Sequence, residues 1–177
     1  MSRIRITGGQ WRSRLIQVVD VPGLRPTPDR VRETLFNWLG QDLSGWHCLD
    51  LFAGSGILGF ECASRGAAEV VLVERDRGAF ARLKDNAALF ACDRLRLVRA
   101  DALEFAAKSG LRFDLVLLDP PYRKGWLDKV APLLSRLARP GMQVYAEAEH
   151  HIDALGEWRT VKRGQAGQVF YQLLEHS

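Results

Sequence analysis

The feature that most constrains the fold of this chain is the segment 48–59, CLDLFAGSGILG, in which an apolar run ends in an acid and then passes through closely spaced glycines. This order predicts a buried strand, a tight turn and the N-terminus of a helix. Glycine has no Cβ, so it adopts positive φ freely and lets a ligand approach the backbone. A strand, a glycine-rich turn and a helix in this order are typical of nucleotide-binding sites in open α/β sheets.

Two ligands fit this turn. Residues 54–59, GSGILG, match the dinucleotide fingerprint G-x-G-x-x-G, and Glu74 lies about where that motif has its ribose-binding acid. Asp50, however, ends the strand and faces the same crevice, where it would repel a pyrophosphate. A carboxylate suits the sulfonium and amino groups of S-adenosylmethionine, so Asp50 favours a methyl donor over NAD. A plain strand–helix turn without a ligand is the third alternative.

Alternating strand and helix patterns follow from residue 46 onwards. Strands are predicted at 46–51, 69–74, 94–99, 113–118 and 142–147, and helices at about 56–65, 78–90, 102–108 and 126–138. The alternation predicts a parallel sheet that is covered by helices on both faces. Two more strands, 157–163 and 167–174, are predicted to form a closing hairpin.

The segment before the glycine-rich turn has a different pattern. Residues 3–8 and 14–19 predict a short β-hairpin, and the proline-rich connector 21–26 follows it. Thr27 is the predicted N-cap of a helix that has Pro28 at its first position. Apolar residues recur at helical spacing over 31–39, which gives this helix one buried face.

The excess positive charge lies entirely in this N-terminal part. Residues 1–36 contain seven arginines, no lysine and three acidic residues, a net charge of +4, while the other 141 residues balance. Such an asymmetry predicts a surface that binds a polyanion, with a solvated basic face as the alternative. The guanidinium fork suits phosphate, so arginine rather than lysine favours a nucleic-acid partner.

Acidic residues follow four predicted strands of the sheet: Asp50, Glu74, Asp101 and Asp119. Ligands of open parallel sheets bind outside the carboxyl ends of the strands. Each of these acids would lose solvation unless it met a ligand or a hydrogen-bond donor. Their common position therefore predicts one binding crevice at this edge.

A second motif, Asp119-Pro120-Pro121-Tyr122, follows the buried strand 113–118. The two prolines fix φ and remove two N–H donors, so the loop is stiff and presents carbonyl oxygens. Asp119 and a carbonyl can accept the hydrogens of an exocyclic amine while its ring stacks on Tyr122. A nitrogen held in this way can attack a methyl group in line with the departing sulfur. The alternative is a simple Asp-Pro turn after a strand.

Composition excludes several other classes of protein. The 177 residues suit one domain, and no apolar run is long enough for a transmembrane helix or a secretory signal. Three separated cysteines in apolar surroundings are expected to be buried thiols of a reducing compartment. His150 and His151 are adjacent, but no other ligand spacing supports a metal site.

At this point the chain resembles a known family. The DLFAGSG and DPPY motifs resemble S-adenosylmethionine-dependent methyltransferases that modify exocyclic amines. The segments GGQWRSR at 8–14, LRPTPDRVRETLFN at 24–37 and AGQV at 166–169 are similar to the bacterial 16S ribosomal RNA guanine-N2 methyltransferases of the small subunit. Ser13 departs from the family pattern, since the hairpin turn is expected to have a glycine there.

The resemblance implies a Rossmann-like seven-stranded methyltransferase sheet, mostly parallel with an antiparallel last strand, and an N-terminal β-hairpin arm. Residues 1–24 would form the RNA-binding arm and residues 25–177 the methyltransferase domain. The implied cofactor is S-adenosylmethionine, with Glu74 on its ribose hydroxyls and Asp101 on its adenine amino group. The implied partner is 16S ribosomal RNA in an assembling small subunit, bound by a cytoplasmic monomer that contacts no membrane.

The expected site residues fall into three groups, and none of them is a metal ligand. The cofactor group contains Asp50, Phe52, Ala53, Gly54, Gly56, Glu74, Arg75, Asp101, Ala102 and Asp119. The catalytic group contains Asp119, Pro120, Pro121 and Tyr122. The RNA-binding group contains Arg3, Arg5, Arg12, Arg14, Arg25, Thr27, Arg30 and Arg123.

Three other functions are compatible with these residues. One is an amine methyltransferase that acts on DNA adenine, on another RNA or on a protein amide, although the arginine-rich segment disfavours a protein substrate. The second is an NAD-dependent oxidoreductase. The third is an RNA-binding assembly factor with a vestigial cofactor pocket, against which the complete glycine turn and the complete Asp119–Tyr122 loop argue.

Overall fold

The computed structural model describes residues 2–19 and 26–177 of the chain. Its strands are β1 Ser2–Arg5, β2 Leu15–Val18, β3 His47–Asp50, β4 Glu69–Glu74, β5 Leu95–Arg99, β6 Phe113–Leu118, β7 Ala138–Ala148, β8 Ala154–Leu155, β9 Trp158–Ala166 and β10 Val169–His176. Its helices are α1 Asp29–Leu39, α2 Ile57–Ser64, α3 Arg77–Ala88, α4 Ala102–Lys108, α5 Trp126–Val130 and α6 Leu134–Leu137, with a 3₁₀ turn, Ala131–Leu133, between the last two.

The main sheet has the strand order β5-β4-β3-β6-β7-β10-β9-β8. The first five strands in this order are parallel, and β10 is antiparallel to both β7 and β9. The predicted parallel sheet with an antiparallel last strand is therefore confirmed. Over the residues that the structure describes, the sheet has eight strands rather than the expected seven. The additional strand is the two-residue β8, which pairs with β9 at the edge and is too short to give a sequence pattern.

Apolar side chains cover both faces of the sheet. On one face, α1, α2, α3 and the β1–β2 hairpin share one core, which includes Ile6, Leu35 and Phe60. On the other face, α4, α5 and α6 form a second core that includes Phe105 and Leu137. The strands are buried between these layers, so the two ends of the sheet are the places left for a ligand.

The N-terminal hairpin is confirmed and packs on the domain. Alternation along β1 directs Ile4 inwards and leaves Arg3 and Arg5 exposed. Ser13 has a φ of 71°, the left-handed conformation that glycine adopts at least cost, which explains why glycine was expected there. The predicted boundary at residue 24 lies outside the described residues, so the division into two domains stays a prediction.

Two other boundaries differ from the sequence pattern. The helix predicted at 126–138 is broken into α5, the 3₁₀ turn and α6, because Pro132 in that turn has no N–H to continue a helix. The strand predicted at 142–147 runs from 138 to 148, since residues outside the apolar run also pair with neighbouring strands. Within the described residues, no helix is long and apolar enough to cross a bilayer.

Candidate functional site

The glycine-rich turn begins where β3 ends and leads directly into α2. Gly54 has a φ of 55° and Gly56, the residue before the helix, has a φ of 90°. A Cβ on Gly56 would lie 2.6 Å from Leu83 Cδ1 and 2.6 Å from Phe60 Cε2, so glycine is needed there for space as well as for conformation. A Cβ on Gly54 would meet no atom within 4 Å, which leaves open space beside the turn.

Asp50 is buried at the end of β3 and supports the start of α2. Its Oδ2 accepts a hydrogen bond of 3.0 Å from the Gly59 N–H, one of the first-turn donors that have no partner inside the helix. Burial raises the pKa of Asp50 to about 7, the Gly59 hydrogen bond opposes this, and the nearby charges of Asp119 and Glu74 add to it. Contact between Asp50 and a cofactor stays a prediction.

Glu74 ends β4 and is fixed beside the same turn. Its Oε1 accepts from the Gly54 N–H at 2.9 Å and its Oε2 from the Asp76 N–H at 2.8 Å. Each carboxylate oxygen has a second lone pair, so ribose hydroxyls can still donate to this half-buried side chain.

Asp101 follows β5 and caps α4, since its Oδ2 accepts from the Glu104 N–H at 3.1 Å. Its Oδ1 lies 4.0 Å from the exposed Arg75 guanidinium, and Ala102 beside it is buried. The capping role leaves the half-buried carboxylate at the sheet end where an adenine amino group is expected.

Phe52 and Ala53 continue the backbone between Asp50 and the glycines. The Ala53 N–H donates to the Val73 carbonyl at 2.9 Å, which holds the turn on β4. The Phe52 ring contacts Trp126 edge to face, with 5.6 Å between centroids. The buried Trp126 indole N–H has no hydrogen-bond partner among the described residues. The sequence did not indicate Trp126, because it begins α5 as a single aromatic residue that belongs to no motif.

The Asp119–Tyr122 loop leaves the end of β6, the strand beside β3. Pro120 is buried, Pro121 is exposed, and Tyr122 has 40% of its surface exposed, so its ring is free to stack with a base. Burial raises the pKa of Asp119 to about 6, against a hydrogen bond from Thr27 that lowers it. Burial also raises the pKa of Tyr122 to about 12, so its hydroxyl stays protonated.

Thr27 lies in this site and does not cap α1. Its Oγ1 lies 2.7 Å from Glu147 Oε2 and 3.2 Å from Asp119 Oδ2, whereas the position before α1 is Pro28, without a side-chain cap. The predicted N-cap was wrong because tertiary contacts with two carboxyl groups replaced the local one. Thr27 is also almost fully buried, so its side chain is not accessible on the surface for the predicted contact with RNA.

Glu147 is a second residue of the site that the sequence did not indicate. It is buried on β7, and its Oε2 also accepts from the Tyr145 hydroxyl at 2.9 Å. Burial raises the pKa of Glu147 to about 8, and the charge of Asp119 adds to this, whereas hydrogen bonds from Thr27 and Tyr145 oppose it. An acid inside an otherwise apolar strand, QVYAEA, was the available signal.

The predicted RNA-binding arginines differ in their surroundings. Arg3, Arg5, Arg12 and Arg30 are exposed, while Arg14 donates to the Leu89 carbonyl at 2.6 Å. Arg123 lies 3.5 Å from Glu149, and Arg25 lies outside the described residues. Of the seven N-terminal arginines, Arg32 is buried in ion pairs and is not available to a polyanion.

The residues fit S-adenosylmethionine by their chemistry. Carboxyl groups from four neighbouring strand ends surround an open glycine turn. Two of them, Asp119 and Glu74, lie close enough to add to the effect of burial on the pKa of Asp50. A cationic ligand relieves the repulsion among such groups, whereas a pyrophosphate would increase it. Among residues 2–19 and 26–177, no cluster of His, Cys, Asp and Glu could hold a metal ion.

Comparisons with known proteins cover nearly the whole chain. The family model described as "Conserved hypothetical protein 95" matches residues 4–175. Ribosomal RNA small subunit methyltransferase D of Escherichia coli (strain K12) is 43% identical over 178 residues, 98% of this chain and 90% of that protein. The protein of the same name from Haemophilus influenzae is 36% identical over 181 residues, 98% of this chain and 94% of the relative. The solved structure of yhhF from Escherichia coli has a TM-score of 0.88 at 42% identity and covers 99% of both chains.

Proposed function

This chain belongs to the family described as "Conserved hypothetical protein 95" and is 43% identical to a small-subunit ribosomal RNA methyltransferase, and from that premise we propose that it methylates the exocyclic N2 of a guanine in 16S ribosomal RNA. The cofactor is S-adenosylmethionine. The substrate is an assembling small ribosomal subunit, and the enzyme acts as a cytoplasmic monomer. Residues 1–24 are the RNA-binding arm and residues 25–177 the methyltransferase domain.

One observation supports this proposal most directly: the glycine turn and the amine-binding loop leave adjacent strands at the same edge. Strands β3 and β6 are hydrogen-bonded neighbours, and the Leu51 N–H beyond β3 donates to the Leu117 carbonyl at 3.2 Å. Asp50 and Asp119 therefore end side by side, and the charge of one raises the pKa of the other. A donor on the turn and an amine on the loop would meet between them.

The reaction that these residues support is a direct displacement. When it is bound, S-adenosylmethionine supplies a methyl group activated by its sulfonium. Tyr122 stacks on a guanine that has turned out of its RNA helix or loop, while Asp119 and a proline carbonyl accept the two N2 hydrogens. The C–N bond forms as the C–S bond breaks, and one N2 proton leaves to Asp119. Holding the two reactants together lowers the entropic part of the barrier.

The experiment offers methyl-labelled S-adenosylmethionine with small subunits that lack the modification, with free 16S RNA and with DNA, followed by nucleoside analysis. We expect label in N2-methylguanosine from the subunits. Label in N6-methyladenine, or no transfer to any RNA, would contradict the proposal.

Asp119→Ala tests the amine-binding role in the same assay. Loss of the acceptor should lower methyl transfer by at least about a hundredfold, while the dissociation constant of the cofactor, measured by calorimetry, stays within a few-fold of the wild type. Asp93→Ala, at an exposed aspartate on the loop before β5, is the matched control and should keep full activity. Turnover by Asp119→Ala at the wild-type rate would remove Asp119 from the reaction.

A further inference from the structure

The Thr27 hydroxyl lies between two carboxyl groups that come from neighbouring strands. Asp119 follows β6 and Glu147 lies in β7, and the pairing of Leu118 with Ala146 brings them side by side. Thr27 Oγ1 is 2.7 Å from Glu147 Oε2 and 3.2 Å from Asp119 Oδ2. A hydroxyl has one proton, so it can donate to only one of the two carboxyl groups at a time.

A consistent set of hydrogen bonds requires one of the two acids to keep a proton. If Glu147 is protonated, it donates to Thr27 Oγ1, and the Thr27 hydroxyl donates in turn to an ionised Asp119. Two like charges at one hydroxyl would repel each other, so one shared proton is the favoured state. Glu147 is the more enclosed of the two, with 3% of its surface exposed. Ionisation therefore costs more free energy at Glu147 than at Asp119.

The electrostatic surroundings agree with this order of protonation. The pKa of Glu147 is raised to about 8 and that of Asp119 to about 6, in both cases mainly by burial. Between these values Asp119 is ionised while Glu147 stays neutral. Among the described residues, five titratable or charged groups face the pair: Asp50 of β3, Tyr145 of β7, Tyr122 of the loop after β6, Tyr171 of β10 and Arg32 of α1.

Thr27 is itself held in place by a buried cation. Arg32 Nε donates to the Thr27 carbonyl at 3.1 Å, and the same guanidinium forms an ion pair of 2.7 Å with Glu61. Arg32 Nη1 also donates to the Arg5 carbonyl of the hairpin at 2.7 Å. The Thr27 backbone is therefore held by Arg32 of α1, which is in turn bonded to α2 and to β1.

We propose that Thr27 and Glu147 are positioning residues of the amine site, in which a proton held by Glu147 directs the Thr27 hydroxyl to Asp119 and keeps Asp119 an ionised acceptor. Asp119 Oδ2 is then occupied by Thr27, and Oδ1 is left for the N2 hydrogen of the target. Asp119 can take the proton that N2 loses on methylation, after which that proton passes to solvent. This inference rests on the proposed function, since it requires an amine substrate.

The first test compares Thr27→Val, which removes the hydroxyl at nearly constant volume, with Thr27→Ser, which keeps it. Single-turnover methyl transfer should fall about ten- to a hundredfold in Thr27→Val, the range for losing one hydrogen bond to a charged group. Thr27→Ser, which keeps the hydroxyl, should retain most of the wild-type rate. Thr34→Val is the matched control, because in the described part of the chain the Thr34 hydroxyl bonds to the Arg30 carbonyl on its own helix, and its loss should not affect the rate.

The pH profile separates this role from a purely structural one. The rate should fall below about pH 6 in the wild type as Asp119 becomes protonated, and the midpoint should move to higher pH in Thr27→Val, because the lowering effect of the hydroxyl on the Asp119 pKa is lost.

Glu147→Ala should be as slow as Thr27→Val, and Glu147→Gln, whose amide can donate to Thr27, should recover most of the rate. The wild-type rate should also fall above about pH 8 as Glu147 ionises, and Glu147→Gln should lack this decrease.

Cofactor binding by calorimetry accompanies these rates and should match the wild type for every variant. The thermal midpoints of Thr27→Ser and Glu147→Gln, which keep a hydrogen-bonding group at each position, should stay close to that of the wild type. A wild-type rate with an unshifted acid midpoint in Thr27→Val would overturn the inference, as would Glu147→Gln being as slow as Glu147→Ala. Absence of methyl transfer by the wild-type protein to any RNA would instead overturn the proposed function, so the two failures are distinguishable.

Discussion

At the scale of single residues, the site depends on positions where the backbone or the charge state is unusual. Gly56 combines a φ of 90° with contacts that leave no room for a Cβ, while Gly54, two residues earlier, has a positive φ but open space. Three carboxyl groups of the site, on Asp50, Asp119 and Glu147, have pKa values raised by burial. Perturbed acids in one crevice are characteristic of functional sites.

Gly56→Ala and Gly54→Ala separate the two demands on the turn. Gly54→Ala adds only conformational strain, so it should lower the free energy of unfolding by about 1–2 kcal/mol. Gly56→Ala adds strain and a clash with Leu83 and Phe60, and should cost about 2–5 kcal/mol. Denaturant unfolding of both variants is the measurement, and a cost for Gly54→Ala that equals or exceeds that of Gly56→Ala would contradict this account.

At the scale of elements, a buried ion-pair network attaches the hairpin and α1 to α2. Glu61 of α2 pairs with Arg32 of α1 at 2.7 Å and with Arg65 of its own helix at 2.7 Å, and all three are buried. Glu61 also accepts from the N–H of Thr7, two residues beyond β1, at 3.0 Å. Since Arg32 also bonds to the Thr27 carbonyl, the network connects the arginine-rich hairpin with Thr27 of the proposed amine site.

Removal of the central carboxylate tests this network. In the described part of the structure, Glu61→Ala leaves the buried Arg65 guanidinium without a carboxylate and Arg32 with only the exposed Asp29, and should lower the free energy of unfolding by about 3–5 kcal/mol. Glu104→Ala is the matched control, because its pair with Lys108 on α4 is exposed and should contribute less than about 1 kcal/mol. In amide hydrogen exchange, the Ile6 and Ser13 amides of the hairpin should lose protection in Glu61→Ala before the central strands do. Equal stability losses in the two variants would show that the buried network does not stabilise the fold.

At the scale of the whole molecule, charge is divided between two regions. The hairpin presents Arg3, Arg5 and Arg12 to solvent, whereas the crevice at the strand ends is lined with acids. This division suits a substrate that is a polyanion outside the crevice and a neutral base with an amine inside it. RNA is such a substrate, because its phosphates and its bases can be bound on different surfaces.

The salt dependence of RNA binding tests the basic surface. Each phosphate contact releases counterions, so Arg3→Ala, Arg5→Ala and Arg12→Ala should each reduce the slope of log K against log salt by about 0.7–0.9. Arg159→Ala, at an exposed arginine on β9, removes the same charge and should leave the slope unchanged. Fluorescence anisotropy between about 50 and 200 mM salt measures the slope. Equal slopes in the wild type and the hairpin variants would remove these arginines from the interface.

Local patterns in the sequence determined most of the architecture. Alternating apolar strands and helices determined the parallel sheet and the two layers of helices, since these patterns reflect burial over short distances. The glycine turn, the strand-end acids and the Asp119–Tyr122 loop could be predicted because each depends only on residue types and their spacing along a short segment. The short strand β8 escaped because two residues give no detectable period. The break in the helix predicted at 126–138 had a signal in Pro132, but the apolar spacing on both sides of it favoured one continuous helix.

Only the tertiary structure decided which of these groups meet. Thr27 has the sequence position of a helix cap, and Arg32 that of a surface arginine, yet Thr27 bonds to Glu147 and Arg32 is buried against Glu61. Glu147 stands 28 residues after Asp119 in the chain, and they become neighbours because β6 and β7 pair. A residue's own neighbours in sequence set its secondary structure, but strand order and helix packing set its partners, and those partners fix the charge state on which the chemistry depends.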